Sequence, residues 1–264
     1  MQEKQKRIKI NELGGYQGHA GSVTKRGAIF RSGNLKTNPE SLSKQLSDLN
    51  VSMVFDLRST EEVNVQPYVL PRHIEYRHTP VLAAIEDGAH GLSPHDFKNE
   101  ASLEALKGHF KNAEDFQFVS DFMMGIYETM GKQPQVFGEI MKAMIENKGQ
   151  PVLFHCSAGK DRTGVLASLI LLALGVALDD VKAHYLQSNT WRAADIEHEM
   201  QMIAQTVKNQ DDLDKIKGIL IVKEAYLDAM LKSVQKYPSF ETFAQAQLGL
   251  DESKLSQFRA LYLE

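Results

Sequence analysis

The stretch that most constrains this chain runs from Pro151-Val152-Leu153-Phe154 through His155-Cys156-Ser157-Ala158-Gly159-Lys160-Asp161-Arg162-Thr163-Gly164 to Val165-Leu166-Ala167-Ser168-Leu169-Ile170-Leu171-Leu172. Two apolar runs flank a short polar turn that contains glycine. The order reads as buried strand, tight loop, buried helix. Such a turn aims backbone N–H groups and the positive end of the helix dipole at one point, where an anion can sit. Cys156, the only cysteine among 264 residues, opens the loop, and Arg162 closes it.

The rest of the chain supplies a frame for that turn. Ala28-Ile29-Phe30, Val51 to Phe55 and, more weakly, Ile74 to Thr79 read as strands beside 151–155. Asn38-Pro39 opens a helix with Leu42, Leu46 and Leu49 at helical spacing. Ser59-Thr60-Glu61-Glu62 has the form of a capping box. Residues 115–147 are helical in pattern, with Phe137, Ile140, Met141, Met144 and Ile145 on one face and Gly149 as the stop. Beyond the loop helix, helices are expected over 179–188, 190–208, about 219–236, 239–248 and 251–262. Strands alternating with helices and then helices alone predict an α/β fold. A mostly parallel central sheet is flanked by helices, and the C-terminal part is helical. Residues 1–264 are expected to form a single domain, with the unpatterned segment 80–112 either a lid or a connector.

Composition narrows the function classes. A net charge of −4 offers no basic excess for general nucleic-acid binding. One cysteine excludes an internal disulfide and a cysteine-rich zinc site, and the scattered histidines show no ligand spacing, so no metal and no cofactor are expected. The longest apolar run, Val165 to Leu174, is about half the ~20 residues that span a bilayer. Together with a polar N-terminus this predicts a cytoplasmic protein, or a secreted one whose leader has been removed.

The loop residues fit one chemistry. Hydrolysing a phosphate monoester without metal requires positive charge, a nucleophile and a proton donor. Cys156 is the candidate nucleophile, since a helix N-terminus and nearby cations favour a thiolate. Arg162 offers a planar fork matched to two phosphate oxygens. The N–H groups of Ser157, Ala158, Gly159, Lys160, Asp161 and Arg162 are expected to hold the phosphate. Thr163 is placed to donate its hydroxyl to the Cys156 sulfur, and His155 to orient the loop rather than act as base. Trp191, the single tryptophan, is followed by Arg192, so a Trp-Pro-Asp acid loop is absent. Asp161 is therefore the first candidate for proton donor, with Asp87 and Asp96 in reserve. Lys160 and Arg162 beside it favour its carboxylate, whereas a bound phosphate dianion favours the protonated form. Arg31, Asp56 and Arg58 at strand ends are expected to form an ion-pair network beneath the loop. Tyr185, Asn189, Trp191 and Arg192 are candidates for the pocket rim.

The loop resembles the His-Cys-x-x-Gly-Lys-Asp-Arg-Thr signature of bacterial protein-tyrosine phosphatases that also act on phosphoinositides. Leu13-Gly14-Gly15, Phe30-Arg31-Ser32-Gly33-Asn34-Leu35, Asp56-Leu57-Arg58-Ser59, Tyr185-Leu186-Gln187-Ser188-Asn189 and Glu224-Ala225-Tyr226-Leu227 also match that family, so the likeness covers nearly the whole chain. Asn11-Glu12 stands where the family usually has Arg-Asp. The resemblance implies a cysteine-phosphatase fold, Asp161 as acid, and phosphotyrosine proteins or phosphoinositide headgroups as partners. By similarity to the phosphatase and tensin homologue and the myotubularins, Lys160 is expected to meet further phosphates on an inositol ring. A pseudophosphatase that binds phosphorylated partners without turnover, and a rhodanese-like sulfur transferase, are the competing readings. Cys156, Asp161 and Arg162 are all retained, which argues against the first. The second does not require Arg162, Thr163 and Gly164.

Overall fold

The computed structural model describes residues 7–82, 115–205 and 207–264, with backbone alone for 115–120. Five strands form one sheet: β1 (Ile10–Glu12), β2 (Ile29–Ser32), β3 (Met53–Asp56), β4 (Glu75–His78) and β5 (Val152–His155), in the order β1-β2-β5-β3-β4. All neighbours run parallel except β1, which lies antiparallel to β2 at the edge. The three residues of β1 are too few to show a period, so the sequence pattern does not reveal that strand.

Alternation along the central strands sorts the core onto two faces. Ile29, Met53, Phe55, Val152 and Phe154 enter the larger cluster, while Phe30, Val54 and Leu153 enter the smaller. The smaller is covered by α1 (Pro39–Asp48), where Asn38 caps the N–H groups of Glu40 and Ser41 and Leu42 and Leu46 are buried. Next to β3, α2 (Thr60–Val65) begins with the capping box of Ser59 and Glu62.

On the larger face lie α3 (Asp115–Lys132), α4 (Gln135–Glu146) and α5 (Arg162–Ala173). The helical pattern of 115–147 is cut at Pro134, which cannot donate a backbone N–H and disfavours a helical Gln133. Nearly every residue of α5 is buried, as an all-round apolar helix requires. Then follow α6 (Leu178–Trp191), α7 (Ala193–Ile203), α8 (Gln210–Leu220), α9 (Glu224–Leu231), the short α10 (Phe240–Phe243) and α11 (Glu252–Tyr262).

The continuous helix expected over 219–236 is not formed. Instead α8, unforeseen from the sequence, ends at Leu220 and α9 starts at Glu224. The break is held by Asn189, whose side chain donates to Val222 O at 2.9 Å and accepts from Val222 N at 2.8 Å. One side-chain amide thus satisfies both backbone groups that a helix would have paired. The C-terminus returns to the N-terminal segment, where Val23 and Glu264 exchange backbone hydrogen bonds at 2.8 and 2.9 Å.

Close packing decides one glycine. A Cβ on Gly138 would collide with the Leu248 carbonyl across the α4 interface. Alanine gains about 1 kcal/mol of helix propensity over glycine, whereas overpacking costs about 1–3 kcal/mol. Gly138→Ala should therefore lower stability by up to about 2 kcal/mol in urea unfolding. A rise in the denaturation midpoint would refute the close approach.

Candidate active site

Parallel register sets the level of the site. Ser32 and Asp56 both pair with His155, so β2, β3 and β5 end together. Their following segments converge outside the carboxyl edge of the sheet, where ligands bind in open α/β folds. Asn34 N donates to Ser157 O at 2.9 Å, and Leu57 N to His155 O at 2.9 Å, tying the loop to both neighbours. Gly159 has φ +72°, and a Cβ there would lie 2.6 Å from Gly33 N and Ser32 O. Position 159 thus needs glycine both for its left-handed backbone and for the close approach of β2.

Cys156 is 2% exposed, at the start of the turn into α5. Its Sγ accepts the Gly159 N–H at 3.3 Å. His155 is fully buried, and burial pushes its pKa down to about 4, so the ring is neutral at pH 7. Its Nδ1–H donates to Cys156 O at 3.2 Å, which leaves Nε2 to accept from Tyr68 Oη at 2.6 Å. The ring thus links the Cys156 carbonyl to Tyr68. Thr163 differs from expectation. Its buried Oγ1 has no hydrogen-bond partner among the described residues, so the donation to Cys156 is not made.

Arg162, the first residue of α5, meets a carboxylate that the sequence presents only as a cap. Its Nη1 donates to Glu62 Oε2 at 2.6 Å and its Nη2 to Oε1 at 2.9 Å. Ser157 Oγ donates to the same carboxylate. Burial raises the Glu62 pKa, but the Arg162 bonds outweigh it and hold the group at about 2. A second Nη1 hydrogen points at Leu57 O, 3.4 Å away. Of five guanidinium hydrogens, the Nε–H and one on Nη2 have no partner among the described residues, and together they form a second fork. Glu62 therefore fixes the plane of Arg162 without consuming the edge that an anion needs. Only its place just beyond the end of β3 hinted at this.

Asp161 accepts from Tyr127 Oη at 2.7 Å, and its carboxylate pairs with Lys160 Nζ at 2.7 Å. Tyr185 Oη donates in turn to Tyr127 at 2.8 Å. Lys160 is 1% exposed, buried under the loop rather than turned outward to an inositol ring. The expected network of Arg31, Asp56 and Arg58 is also corrected. Asp56 and Arg58 form a fully buried pair at 2.7 Å. Arg31 stands apart, its Nη2 donating to Gly159 O at 2.8 Å and to Ser188 Oγ at 3.0 Å.

Of the rim candidates, Trp191 and Arg192 line a cavity of about 610 Å³ that also touches Ser157, Ala158 and Gly159. Tyr185 is buried beneath the loop, and Asn189 serves the break at Val222 instead. Asp87, Asp96 and residues 83–112 of the unpatterned segment lie outside the described residues. Among those described, no group of three or more His, Cys, Asp or Glu residues is placed so that it could hold a metal ion. No described helix is long and apolar enough to cross a membrane.

Gln at position 62 keeps the capping box but loses the charge that orients Arg162. Glu62→Gln should therefore lower kcat/KM on an aryl phosphate by about tenfold or more. Unchanged kcat/KM would remove Glu62 as a positioning residue.

For Asp56, burial raises the pKa, but the Arg58 bonds bring it to about 2, below the ordinary value of about 3.9. Its stabilisation is thus complete above about pH 4 and is lost as pH falls toward 2. Asp56→Asn should cost about 3–5 kcal/mol at neutral pH, and the gap to wild type should narrow in acid. Urea titrations that gave the same gap at pH 7 and pH 3 would contradict this.

The description of the tyrosine phosphatase family matches residues 10–264. A Cupriavidus necator protein, provisionally named a tyrosine-protein phosphatase, is 29% identical over 96% of this chain and 84% of its own. The triple specificity protein phosphatase PtpB of Mycobacterium tuberculosis is 26% identical over 90% of this chain and 91% of its own. A tyrosine-protein phosphatase of Nostoc commune is 24% identical over 61% and 50%.

Proposed function

The chain belongs to the tyrosine phosphatase family, and from that premise we propose that it hydrolyses phosphate monoesters through a cysteinyl-phosphate on Cys156. The observation that carries this reading is the shared loop. Cys156 opens it, and Arg162 closes it with a fork of donors left free by Glu62. We read residues 1–264 as one phosphatase domain, supported by the pairing of the C-terminus with Val23.

In the first step the Cys156 thiolate attacks phosphorus, the P–S bond forms, and the ester P–O bond breaks. Asp161 gives its proton to the leaving oxygen. In the second step Asp161 takes a proton from water, whose oxygen attacks phosphorus and releases inorganic phosphate and the thiolate. Throughout, Arg162 and the loop N–H groups hold the equatorial oxygens. The neutral His155 is a supporting residue that fixes the Cys156 carbonyl.

Phosphotyrosine is the proposed main substrate. Phosphoserine, phosphothreonine and phosphoinositides are further candidates, in keeping with the name of the triple specificity relative. The inositol-ring contact argued for Lys160 loses its support, since that side chain is buried against Asp161.

The test is hydrolysis of aryl phosphates in the presence of chelator. Cys156→Ser should lose activity by about a thousandfold or more. Asp161→Asn should slow a poor leaving group by about 10²–10⁴-fold and a good one far less. Full activity of the serine variant would end the cysteinyl-phosphate reading, and an equal loss on both leaving groups would remove Asp161 as acid.

A further inference from the structure

At the carboxyl ends of β3 and β5 lies a buried network that the reaction above does not use. Asp56 and Arg58, both fully buried, form its centre. Arg58 spends Nε and Nη2 on Asp56, and its Nη1 donates to Gln66 O at 2.8 Å. Its guanidinium carbon lies 5.1 Å from the centre of the Tyr68 ring. The ion pair thereby places the segment that carries Tyr68, and the phenol reaches His155, the residue before Cys156.

The Tyr68 hydroxyl has one hydrogen to give, and two acceptors are in reach. His155 Nε2 is 2.6 Å away and Asp56 Oδ2 is 3.2 Å away. Asp56 Oδ2 is already supplied, by Arg58 Nη2 at 2.7 Å and by Tyr76 Oη at 3.1 Å. The nearer and needier acceptor is His155. A neutral imidazole carries a single N–H hydrogen. With Tyr68 donating to Nε2, that hydrogen sits on Nδ1 and meets Cys156 O at 3.2 Å. Were Tyr68 to donate to Asp56, Nε2 would carry the hydrogen toward the phenol oxygen. The bare Nδ1 would then face the Cys156 carbonyl, lone pair against lone pair.

The Cys156 carbonyl is one end of a planar peptide unit, and Ser157 N–H at the other end points the opposite way. Fixing the carbonyl therefore aims the first N–H of the loop, one of those expected to hold the phosphate. We infer that Tyr68 is a positioning residue for the reaction. Its hydroxyl selects the Nδ1–H tautomer of His155, and that ring in turn directs Ser157 N–H at the phosphate. The role presupposes the phosphatase reading, and its test keeps the two apart.

Tyr68→Phe removes the hydroxyl and keeps a ring over Arg58. Nε2 is then left facing Asp56 Oδ2, 3.5 Å away, and the ring hydrogen is drawn toward that carboxylate. Long-range nitrogen–proton NMR of the His155 ring should report Nδ1–H in the wild type and a new Nε2–H population in the variant. In Tyr68→Phe, kcat/KM on an aryl phosphate and the affinity for tungstate, a tetrahedral oxyanion, should each fall about tenfold. Tyr76→Phe takes a different hydroxyl from the same carboxylate and should leave tautomer, turnover and affinity as in the wild type. An Nε2–H ring in the wild type would overturn the inference whether or not the variant folds. So would an unchanged tautomer in Tyr68→Phe, a changed tautomer with unchanged kcat/KM and tungstate affinity, or equal effects of the two substitutions. Absence of turnover by the wild type would defeat the phosphatase reading, while the tautomer and the tungstate affinity would still decide the role of Tyr68.

Discussion

The contact on which the site depends is the approach of Gly159 to Ser32 and Gly33. There is no room for a Cβ, and the backbone is left-handed, so the loop can turn back on itself only at this point. The turn brings the Gly159 N–H to the Cys156 sulfur and presents the Gly159 carbonyl to Arg31. Cys156 and the sheet are thereby fixed relative to each other through one residue without a side chain. The second anchor, Asn34 N on Ser157 O, lies on the same strand extension. Because β2, β5 and β3 end in register, these anchors need no long connection.

Around that turn the protein buries ionic groups in pairs. Asp56 with Arg58, Glu62 with Arg162 and Lys160 with Asp161 are each closed at 2.6 to 2.7 Å. Buried pairs contribute less to stability than their distances suggest, because desolvation offsets much of the attraction. Their effect here is geometric. Each fixes the orientation of a side chain that would otherwise sample several rotamers, and two of them involve loop residues directly. Arg31 differs in its hydrogen bonds, which go to the Gly159 carbonyl and the Ser188 hydroxyl rather than to a carboxylate.

Much of this was legible in the sequence. The strand, loop and helix around Cys156 could be read because the apolar runs are strong and the punctuation between them is unambiguous. The caps at Asn38 and Ser59 were equally plain, since capping is a local code. What failed was what depends on distant partners. Glu62 announced its capping bond within α2 but not its pairing with Arg162, a hundred residues away. Lys160 looked exposed because lysine usually is, and only the fold reveals the tyrosines waiting beneath the loop. The break between α8 and α9 is set by Asn189, which no local pattern around Val222 can encode.

The hydrogen-bond directions around Asp161 distinguish its two carboxylate oxygens. Tyr185 spends its only hydroxyl hydrogen on Tyr127, and Tyr127 spends its own on Asp161 Oδ1. Lys160 reaches both carboxylate oxygens, at 2.8 and 2.7 Å. The tyrosine pair is deeply buried, and burial raises both phenols well above their ordinary range, so neither gives up its proton to the carboxylate. They act as a rigid brace rather than a proton wire. Oδ1 accepts from two donors and Oδ2 from one, so Oδ2 is the oxygen with the freer lone pair. Any proton that Asp161 exchanges with a leaving group or a water is best carried there, while Tyr127 holds the other oxygen in place.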